Sequence, residues 1–276
     1  MRERERRLIA LTRLVTAHPG IDEALSTLAS RLGVAKSTLS EDLAEVKDAL
    51  HDAELGEVET QVGPGGGVRY RSRLDELLTR SAVVQWCDAL RDERRLTGNG
   101  FLYMTDLLFD PRRVDPLGAL LAERMHDQGA QFVVTVETKG IPLALSVARE
   151  LTLPVVLLRR DNRLSEGSSL SINYLSGSSH RIQSMSIAQR SPVRNAPVLF
   201  VDDFLKAGGT ARAASDLLSE LGARIVGVGV LVATREPSPK LIDGISSALT
   251  WDGAAQIGPT PWVAERLGLE MPMTAK

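Results

Sequence analysis

The segment from Val198 to Thr210 limits the folds open to this chain more than any other stretch, and its residues are VLFVDDFLKAGGT. Val198 to Val201 are apolar without alternation, which predicts a central parallel strand that is covered on both faces. Two acids follow the predicted end of this strand, and the glycine turn after them opens a helix. Backbone N–H groups at such a turn bind anions, and the helix dipole strengthens the attraction.

The neighbouring acids Asp202 and Asp203 indicate what kind of anion the turn would bind. A plain nucleotide loop has no need of two carboxylates beside its phosphate. A ribose suits them, because its vicinal hydroxyls donate hydrogen bonds and ionised carboxylates accept them. The segment therefore predicts a site for a ribose 5-phosphate. The alternative is a glycine-rich strand-to-helix turn with an acidic cap and no ligand.

This segment resembles the motif with which type I phosphoribosyltransferases bind PRPP (5-phosphoribosyl 1-pyrophosphate). The resemblance implies that Asp202 and Asp203 hold the ribose hydroxyls. It also implies that the turn holds the 5-phosphate, through residues that we call the phosphate loop: Lys206, Ala207, Gly208, Gly209 and Thr210. Lys206-Ala207 stands where these enzymes usually carry a small residue followed by Thr. The lysine adds positive charge for a phosphate, but it also crowds the loop.

A second loop, Thr138-Lys139-Gly140, follows the buried run Phe132–Val136 and opens another helix. It resembles the pyrophosphate loop of the same enzymes, which often contains a cis peptide bond that does not involve proline. The resemblance implies that Thr138, Lys139 and Gly140 cup the pyrophosphate group of PRPP.

Strands and helices alternate through residues 75–276, which predicts an α/β fold with a type I phosphoribosyltransferase-like parallel sheet covered on both faces. The predicted strands are 132–136, 155–158, 198–201 and 225–232, and the predicted helices are 75–96, 115–128, the stretch that ends at Leu151, and 210–221. Ligands bind at the carboxyl ends of strands in such sheets. Both loops lie at such ends, so we expect them to face one site.

Residues 168–187 predict a long, serine-rich hairpin with too little apolar mass to enter a core. In the phosphoribosyltransferases a flexible hairpin at this place closes over PRPP, and the resemblance implies the same lid here. An ordinary surface hairpin fits the alternation equally well. Tyr103, Arg159 and Asp161 are candidate residues at or near the lid.

The first 74 residues form a separate predicted domain with helices over 2–17, 22–32 and 36–52. A tight turn at Gly33-Val34 separates the second helix from the third, which is the helix-turn-helix pattern. Apolar residues recur with helical spacing along the inner face of the third helix: Leu39, Leu43, Val46 and Leu50. The exposed start of this helix carries small hydroxyls and one cation that suit base edges and phosphates: Lys36, Ser37, Thr38 and Ser40.

A predicted β-hairpin follows the third helix, from Val58–Val62 through the turn Gly63–Gly67 to Val68–Arg71. A hairpin after a recognition helix is the wing of a winged helix-turn-helix domain. Arg69 and Arg71 would lie along DNA phosphates, or the tip of the wing would enter the minor groove.

The charge of this first domain is balanced, since residues 1–74 hold 11 Lys+Arg against 12 Asp+Glu. Its cations cluster at the N-terminus, where Arg6 and Arg7 lie, at Lys36 and on the wing, whereas its acids gather at the far end of the third helix. This distribution predicts DNA binding, although a helix-turn-helix can also serve dimerisation alone. The weak net charge predicts that a dimer reads two half-sites of an operator.

Composition excludes several classes of protein. Cys87 is the single cysteine, which excludes an internal disulfide and a Cys-based zinc cage, and the four histidines are too far apart in sequence to form a ligand pair. No apolar run is long enough to cross a membrane and no secretory signal opens the chain, so we expect a cytoplasmic protein without a metal site. The net charge of −2 argues neither for nor against nucleic acid.

The resemblance extends to most of the chain through the segments 135–144, 166–168, 171–179 and 202–210. With the first domain included, residues 1–250 resemble the purine repressors of Gram-positive bacteria. This resemblance implies a homodimeric repressor whose domain 75–276 binds PRPP without turning it over, and PRPP then weakens binding to operator DNA. It also implies that ppGpp competes for the pocket. Phe204 and Tyr103 are candidates to stack on its guanine, or they are plain packing aromatics.

Sensing and catalysis are the two main hypotheses for the second domain. A DNA-binding domain beside a sugar-phosphate site favours a sensor, and the stretch after Trp251 offers no recognisable base-binding hood. We therefore expect no enzymatic turnover and no required cofactor, with Mg²⁺ at most accompanying the anionic PRPP. The competing hypotheses are a working purine phosphoribosyltransferase that also regulates, and a winged-helix interaction module without a DNA target.

Overall fold

The computed structural model describes residues 2–61, 67–97, 102–160, 167–175, 182–252 and 256–271. The chain divides into two units, Met1–Asp75 and Glu76–Lys276, close to the predicted division between residues 74 and 75. Asp161, most of the wing turn and the tip of the predicted lid at 176–181 lie outside the described residues.

The N-terminal unit combines helices with a small antiparallel sheet. Its helices are α1 (Glu3–Val15), α2 (Leu25–Leu32) and α3 (Lys36–Asp52). Its strands are β1 (Asp22–Ala24), β2 (Gly56–Thr60) and β3 (Gly67–Ser72), which form a three-stranded sheet in the order β1-β3-β2. The predicted helix-turn-helix followed by a wing is confirmed.

The apolar stripe of α3 forms the centre of the core in this unit. All four predicted stripe residues are at most 5% exposed, and Leu11 of α1 and Leu28 of α2 are fully buried in the same cluster. Gly33 closes α2 in the left-handed conformation with φ 65°, which a glycine adopts without steric cost. The chain can therefore turn sharply into α3.

The second helix starts at Leu25 and not at residue 22, which corrects the prediction. Asp22 to Ala24 form β1 instead, and β1 pairs with β3 so that Asp22 lies opposite Arg69. The edge of β3 offers backbone donors and acceptors at this place, and an ion pair between Asp22 and Arg69 supports the pairing.

The second unit contains the remaining strands, which are β4 (Phe132–Val136), β5 (Val155–Leu158), β6 (Ser169–Leu175), β7 (Ile182–Ala188), β8 (Pro197–Leu205), β9 (Arg224–Thr234), β10 (Ile245–Trp251) and β11 (Ile257–Pro259). Six of them form one sheet in the order β11-β10-β9-β8-β4-β5. Its neighbours are parallel except β10 and β11, which are antiparallel. β6 and β7 pair separately as an antiparallel hairpin.

Helices connect and cover these strands. They are α4 (Glu76–Leu90), α5 (Thr105–Leu108), α6 (Pro111–Met125), α7 (Gly140–Leu151), α8 (Gly209–Ser219) and α9 (Pro261–Leu267). Short 3-10 turns lie at Glu93–Arg95 and His126–Gln128. The predicted α/β fold with a mostly parallel sheet is confirmed. Across the described ranges, none of the helices has the length and apolar character that a membrane span requires.

The central strands are continuous apolar runs because both of their faces are covered. Val133 and Val134 of β4 and Val198 to Val201 of β8 are at most 1% exposed. α6 and α7 approach each other closely at Gly118, where a Cβ would lie 2.1 Å from Ser146 Oγ. A residue larger than glycine would therefore push these two helices apart.

The apolar residues of α4 do not all face the core. Leu77, Leu78 and Val84 are exposed, by 83%, 54% and 43%, whereas Val83 and Trp86 are fully buried. The indole N–H of Trp86 donates a hydrogen bond to the Arg113 carbonyl oxygen at 2.9 Å and helps to set which face turns inward. The helix also ends at Leu90 and not at residue 96.

The hairpin of β6 and β7 is confirmed as a hairpin, but its base belongs to the core. Met185 is fully buried and Ile187 is 2% exposed, and Leu170 and Ile172 pack against the same cluster. The prediction that the hairpin lacks core mass was wrong, because one face of its alternating pattern packs with residues of α8.

Candidate functional site

The paired acids lie inside β8, which corrects the prediction that this strand ends before Asp202. β8 continues to Leu205 because β9 pairs along its whole length, with Asp202 opposite Val230 and Phe204 opposite Val232. The hydrogen bonds of the sheet thus hold the backbone of both acids.

A cavity of about 440 Å³ lies at the carboxyl ends of β4 and β8. Parallel strands end at the same edge of a sheet, which brings together two loops that are distant in sequence. The cavity is lined by ten of the predicted ligand-binding residues: Asp202, Asp203, Phe204, Lys206, Ala207, Gly208, Gly209, Thr210, Thr138 and Lys139.

The phosphate loop has the geometry of an anion site at a helix N-terminus. Gly208 takes the left-handed conformation with φ 87°, and Gly209 is the first residue of α8. The first N–H groups of a helix have no carbonyl partner within that helix, so those of Gly209 and Thr210 suit an anion in the cavity.

The two acids are in an environment that disfavours a pair of negative charges. Burial raises the pKa of Asp202 well above its ordinary value, and the charge of Asp203 raises it further. Burial also raises the pKa of Asp203, while the positive charges of Lys139 and Arg160 act in the opposite direction. The Asp203 N–H donates a hydrogen bond to Asp202 Oδ1 at 2.9 Å. Carboxyl groups in such a setting favour partners that donate hydrogen bonds.

Gly140 joins the second loop to the acids without lining the cavity itself. A Cβ built on Gly140 would lie 2.3 Å from Thr135 Oγ1 and 2.7 Å from Asp202 Oδ1. Only a glycine therefore allows α7 to begin this close to β8. The peptide bond between Glu137 and Thr138 is cis, as is frequent in the loops that this one resembles. The side chains of Thr138 and Lys139 are exposed beside it.

Arg160 lines the cavity, whereas the predicted Arg159 does not. Arg159 forms a β-bridge with Ser186, in which its N–H donates at 2.9 Å and its carbonyl accepts at 2.8 Å. Arg159 lines a second cavity of about 300 Å³ beside β5 and β7. The bridge extends β5 by one residue. Because successive side chains of a strand point to opposite faces, the same strand pattern could have identified Arg160 as the residue that faces the cavity. Asp161 lies outside the described residues.

Tyr103 does not line the cavity, and its side chain is 49% exposed. Its neighbours Leu102 and Met104 line the cavity instead, because alternate residues of this extended segment point inward. Phe204 lies in the cavity as predicted, and its ring packs edge-to-face against Trp251 at 5.8 Å between centroids. Gln183 of β7 also lines the cavity, which places the hairpin beside the candidate site.

The predicted DNA contacts on α3 lie on its first turn. Lys36, Ser37 and Ser40 are exposed and Thr38 is half-buried. The Ser40 hydroxyl donates to the Lys36 carbonyl oxygen at 2.9 Å. Arg6 is exposed on α1. The start of α3 is therefore rich in hydroxyls and carries one cation.

Three further arginines predicted to contact DNA form ion pairs within the N-terminal unit. Arg7 pairs with Asp42, which is 1% exposed and lies on α3. This contact holds the pKa of Asp42 below its usual range. On the wing, Arg69 Nε donates to Asp22 Oδ1 at 2.9 Å and Arg71 pairs with Glu59 at 2.8 Å. Arg7 therefore fastens α1 to α3, a role that the sequence did not reveal.

Residues 3–72 match the family described as bacterial purine repressor, N-terminal, and residues 105–256 match the phosphoribosyl transferase domain family. The chain is 39% identical over 247 residues to the purine biosynthesis transcriptional repressor PurR of Bacillus subtilis (strain 168), covering 90% of this chain and 87% of that protein. It is 35% identical over 250 residues to the purine biosynthesis transcriptional activator PurR of Lactococcus lactis subsp. lactis (strain IL1403), covering 91% and 92%. A xanthine phosphoribosyltransferase of Pseudomonas paraeruginosa is 32% identical over 124 residues, covering 45% of this chain and 65% of that protein.

Proposed function

The chain belongs to the PurR family of bacterial purine biosynthesis regulators, and on that premise we propose that it is a DNA-binding repressor of purine biosynthesis genes whose second unit senses PRPP. In this proposal PRPP is the inducer, and the PRPP-bound protein has a lower affinity for operator DNA. Thermodynamic linkage then requires that operator DNA lowers the affinity for PRPP by the same factor. Coupling free energies of this kind are typically about 1–3 kcal/mol.

One cavity holds both the paired acids and the phosphate loop, and this observation carries the proposal. Asp202 and Asp203 would accept hydrogen bonds from the ribose hydroxyls, which are the donors that these half-buried carboxyls favour. The N–H groups at the start of α8 would bind the 5-phosphate. Thr138 and Lys139 would bind the pyrophosphate, and Arg160 would add charge against it.

The ion that accompanies PRPP is also part of the proposal. Over the described ranges, no cluster of three or more His, Cys, Asp or Glu could hold a metal ion. Mg²⁺ is commonly held by one or two carboxylates together with ligand phosphates, and Asp202 and Asp203 fit such an arrangement. Mg²⁺ would then enter with the ligand and require no separate protein site.

A guanine nucleotide with several phosphates is a second proposed effector. Phe204 offers an aromatic ring within the cavity, and its contact with Trp251 orients that ring. We propose that ppGpp occupies the phosphate loop and stacks its base on Phe204, so that it competes with PRPP. Phe204→Leu should then weaken ppGpp binding more than PRPP binding.

For the N-terminal unit we propose binding to double-stranded operator DNA as part of a homodimer. The first turn of α3 would enter the major groove, and the wing would lie along the backbone. A purine-operon control region that fails to shift at low salt would instead favour a winged-helix interaction module. Expression of a purine-operon reporter with and without the protein tests whether control is repression or activation.

Calorimetric titration of PRPP, with and without operator DNA, tests the sensor proposal. Asp203→Ala should abolish the PRPP response and leave operator binding intact, because only the cavity changes. Asp127→Ala is a matched control, since it removes a carboxylate whose side chain is 87% exposed. Loss of operator binding by Asp203→Ala in the absence of ligand would contradict this division of labour.

A working purine phosphoribosyltransferase is the second candidate. The family match over residues 105–256 favours it, and so do the apolar side chains of Leu102 and Met104 in the cavity, which could pack on a base. Pyrophosphate release from PRPP with each purine base is the test. Turnover that disappears in Asp203→Ala would overthrow the proposal of a sensor without catalysis.

A further inference from the structure

The segment from Arg235 to Ile242, which connects β9 to β10, lies directly against the phosphate loop. The Leu241 N–H donates a hydrogen bond to the Ala207 carbonyl oxygen at 2.9 Å. A Cβ built on Gly208 would lie 3.4 Å from Ile242 Cγ2 and 3.5 Å from the Leu241 nitrogen. The outer side of the phosphate loop is thus in van der Waals contact with this segment.

Within this segment, Lys240 forms the largest number of hydrogen bonds. Its ammonium donates to the Lys206 carbonyl oxygen at 2.6 Å, to Thr234 Oγ1 at 3.2 Å and to the Arg235 carbonyl oxygen at 3.4 Å. These three acceptors use all three donors of a lysine. Lys240 is half-buried and is absent from the residues that line the cavity. Its ammonium therefore faces the protein and not the ligand site.

The two carbonyl contacts decide where the N–H groups of the phosphate loop point. A trans peptide unit is planar, and its N–H points opposite to its C=O. Since Lys240 holds the Lys206 carbonyl on the outer side, the Ala207 N–H is turned the other way. Leu241 holds the Ala207 carbonyl in the same manner and so orients the Gly208 N–H. Both Ala207 and Gly208 line the cavity.

We propose that Lys240 is a positioning residue that holds the phosphate loop in its anion-binding conformation by hydrogen bonding to the Lys206 carbonyl. It acts through the backbone of the loop and does not touch the ligand. This inference depends on the proposed binding of PRPP to the cavity. Thr234 supports the position of Lys240, because its hydroxyl oxygen accepts from Lys240 Nζ at 3.2 Å while its proton is donated to the Glu236 carbonyl oxygen at 2.6 Å.

Lys240→Met tests the proposal, since methionine approximates the length of the side chain and removes all three donors. We expect the affinity for PRPP to fall by about tenfold or more, as hydrogen bonds to charged groups contribute in that range. Ribose 5-phosphate should weaken by the same factor, because it shares the 5-phosphate that the loop would bind. Thr234→Val should weaken both ligands in the same direction without any change of charge.

Arg224→Met is the matched control, since it removes an exposed cation at the start of β9, the opposite end of the strand from Thr234. It should leave both affinities unchanged, and thermal unfolding should show that all variants are folded. If Lys240→Met binds both ligands like the wild type, the proposal is overturned. A larger loss for PRPP than for ribose 5-phosphate also overturns it, because that pattern indicates a general charge effect. A wild-type protein that binds neither ligand overturns the proposed function itself.

Discussion

Replacing Gly140 by alanine tests whether the two loops form a single site. The added Cβ would lie 2.3 Å from Thr135 Oγ1 and 2.7 Å from Asp202 Oδ1. The optimal separation of non-bonded heavy atoms is roughly 3.5 Å, so the neighbouring atoms must move by about 1 Å. Thr135 is fully buried and Asp202 is held in a strand between β4 and β9. The strain therefore falls on the start of α7 and on the Asp202 carboxyl.

Two effects of Gly140→Ala follow from this geometry, one on stability and one on binding. Overpacking of a well-packed site typically costs about 1–3 kcal/mol of unfolding free energy. A carboxyl displaced by about 1 Å would lose its proposed hydrogen bond to a ribose hydroxyl, and a buried polar group left without its partner costs about 1–3 kcal/mol. We therefore expect PRPP to bind roughly 10–100-fold more weakly.

Gly118→Ala separates the two effects, because it crowds the same unit away from the cavity. Its Cβ would lie 2.1 Å from Ser146 Oγ, so a comparable loss of stability is expected with no change in PRPP affinity. Calorimetric titration gives the affinities, and urea unfolding gives the stabilities. If Gly140→Ala is destabilised but binds PRPP like the wild type, the reasoning fails. An equal loss of binding in Gly118→Ala would refute it as well.

The remaining predictions concern the N-terminal unit. Asp42→Asn should lower the urea midpoint of this unit, because Arg7 loses its buried partner. The pKa of Asp42 is lowered in the folded state, so this ion pair stabilises the fold at pH values above the unfolded pKa, and the stabilisation is lost as the pH falls below about 4. If the urea midpoint of the wild type stays constant in acid, as that of the variant should, the role of this ion pair is contradicted. Arg69→Ala should reduce the slope of log K against log salt by about one if this arginine leaves Asp22 for a DNA phosphate, and an unchanged slope would contradict that contact.

Periodicity predicted those elements whose apolar residues all face one core. α3 has the predicted bounds because its stripe is buried along its whole length, and β4 has them because both of its faces are covered. For α4 the pattern was ambiguous, since Leu77 and Leu78 are as apolar as the buried Val83. The face of α4 that turns inward depends on residues of other elements, such as Arg113, and the sequence of one helix does not identify them.

The candidate site was predictable where the chemistry lies within one segment, and not where it depends on tertiary contacts. The acids and the phosphate loop are contiguous in sequence and line the same cavity. That β8 would continue through Asp202 depends on β9, which pairs with it from another part of the chain. The contact of Lys240 with the Lys206 carbonyl likewise joins residues 34 positions apart, and no local pattern marks it.

The internal ion pairs of the N-terminal unit bear on how strongly the proposed repressor would bind operator DNA. Arg7, Arg69 and Arg71 are engaged by acids of their own unit, whereas Arg6 and Lys36 are exposed and form no ion pair within the described part of the chain. Each phosphate contact contributes a salt-dependent share of the affinity for DNA, so arginines that are already paired with acids of their own unit contribute less to it. In the proposed homodimer two such units would bind together, and a coupling of about 1–3 kcal/mol at each cavity would then be a large part of the free energy that release of DNA requires. If the proposed function holds, weak DNA contacts and a modest effector response are therefore matched properties of the proposed repressor.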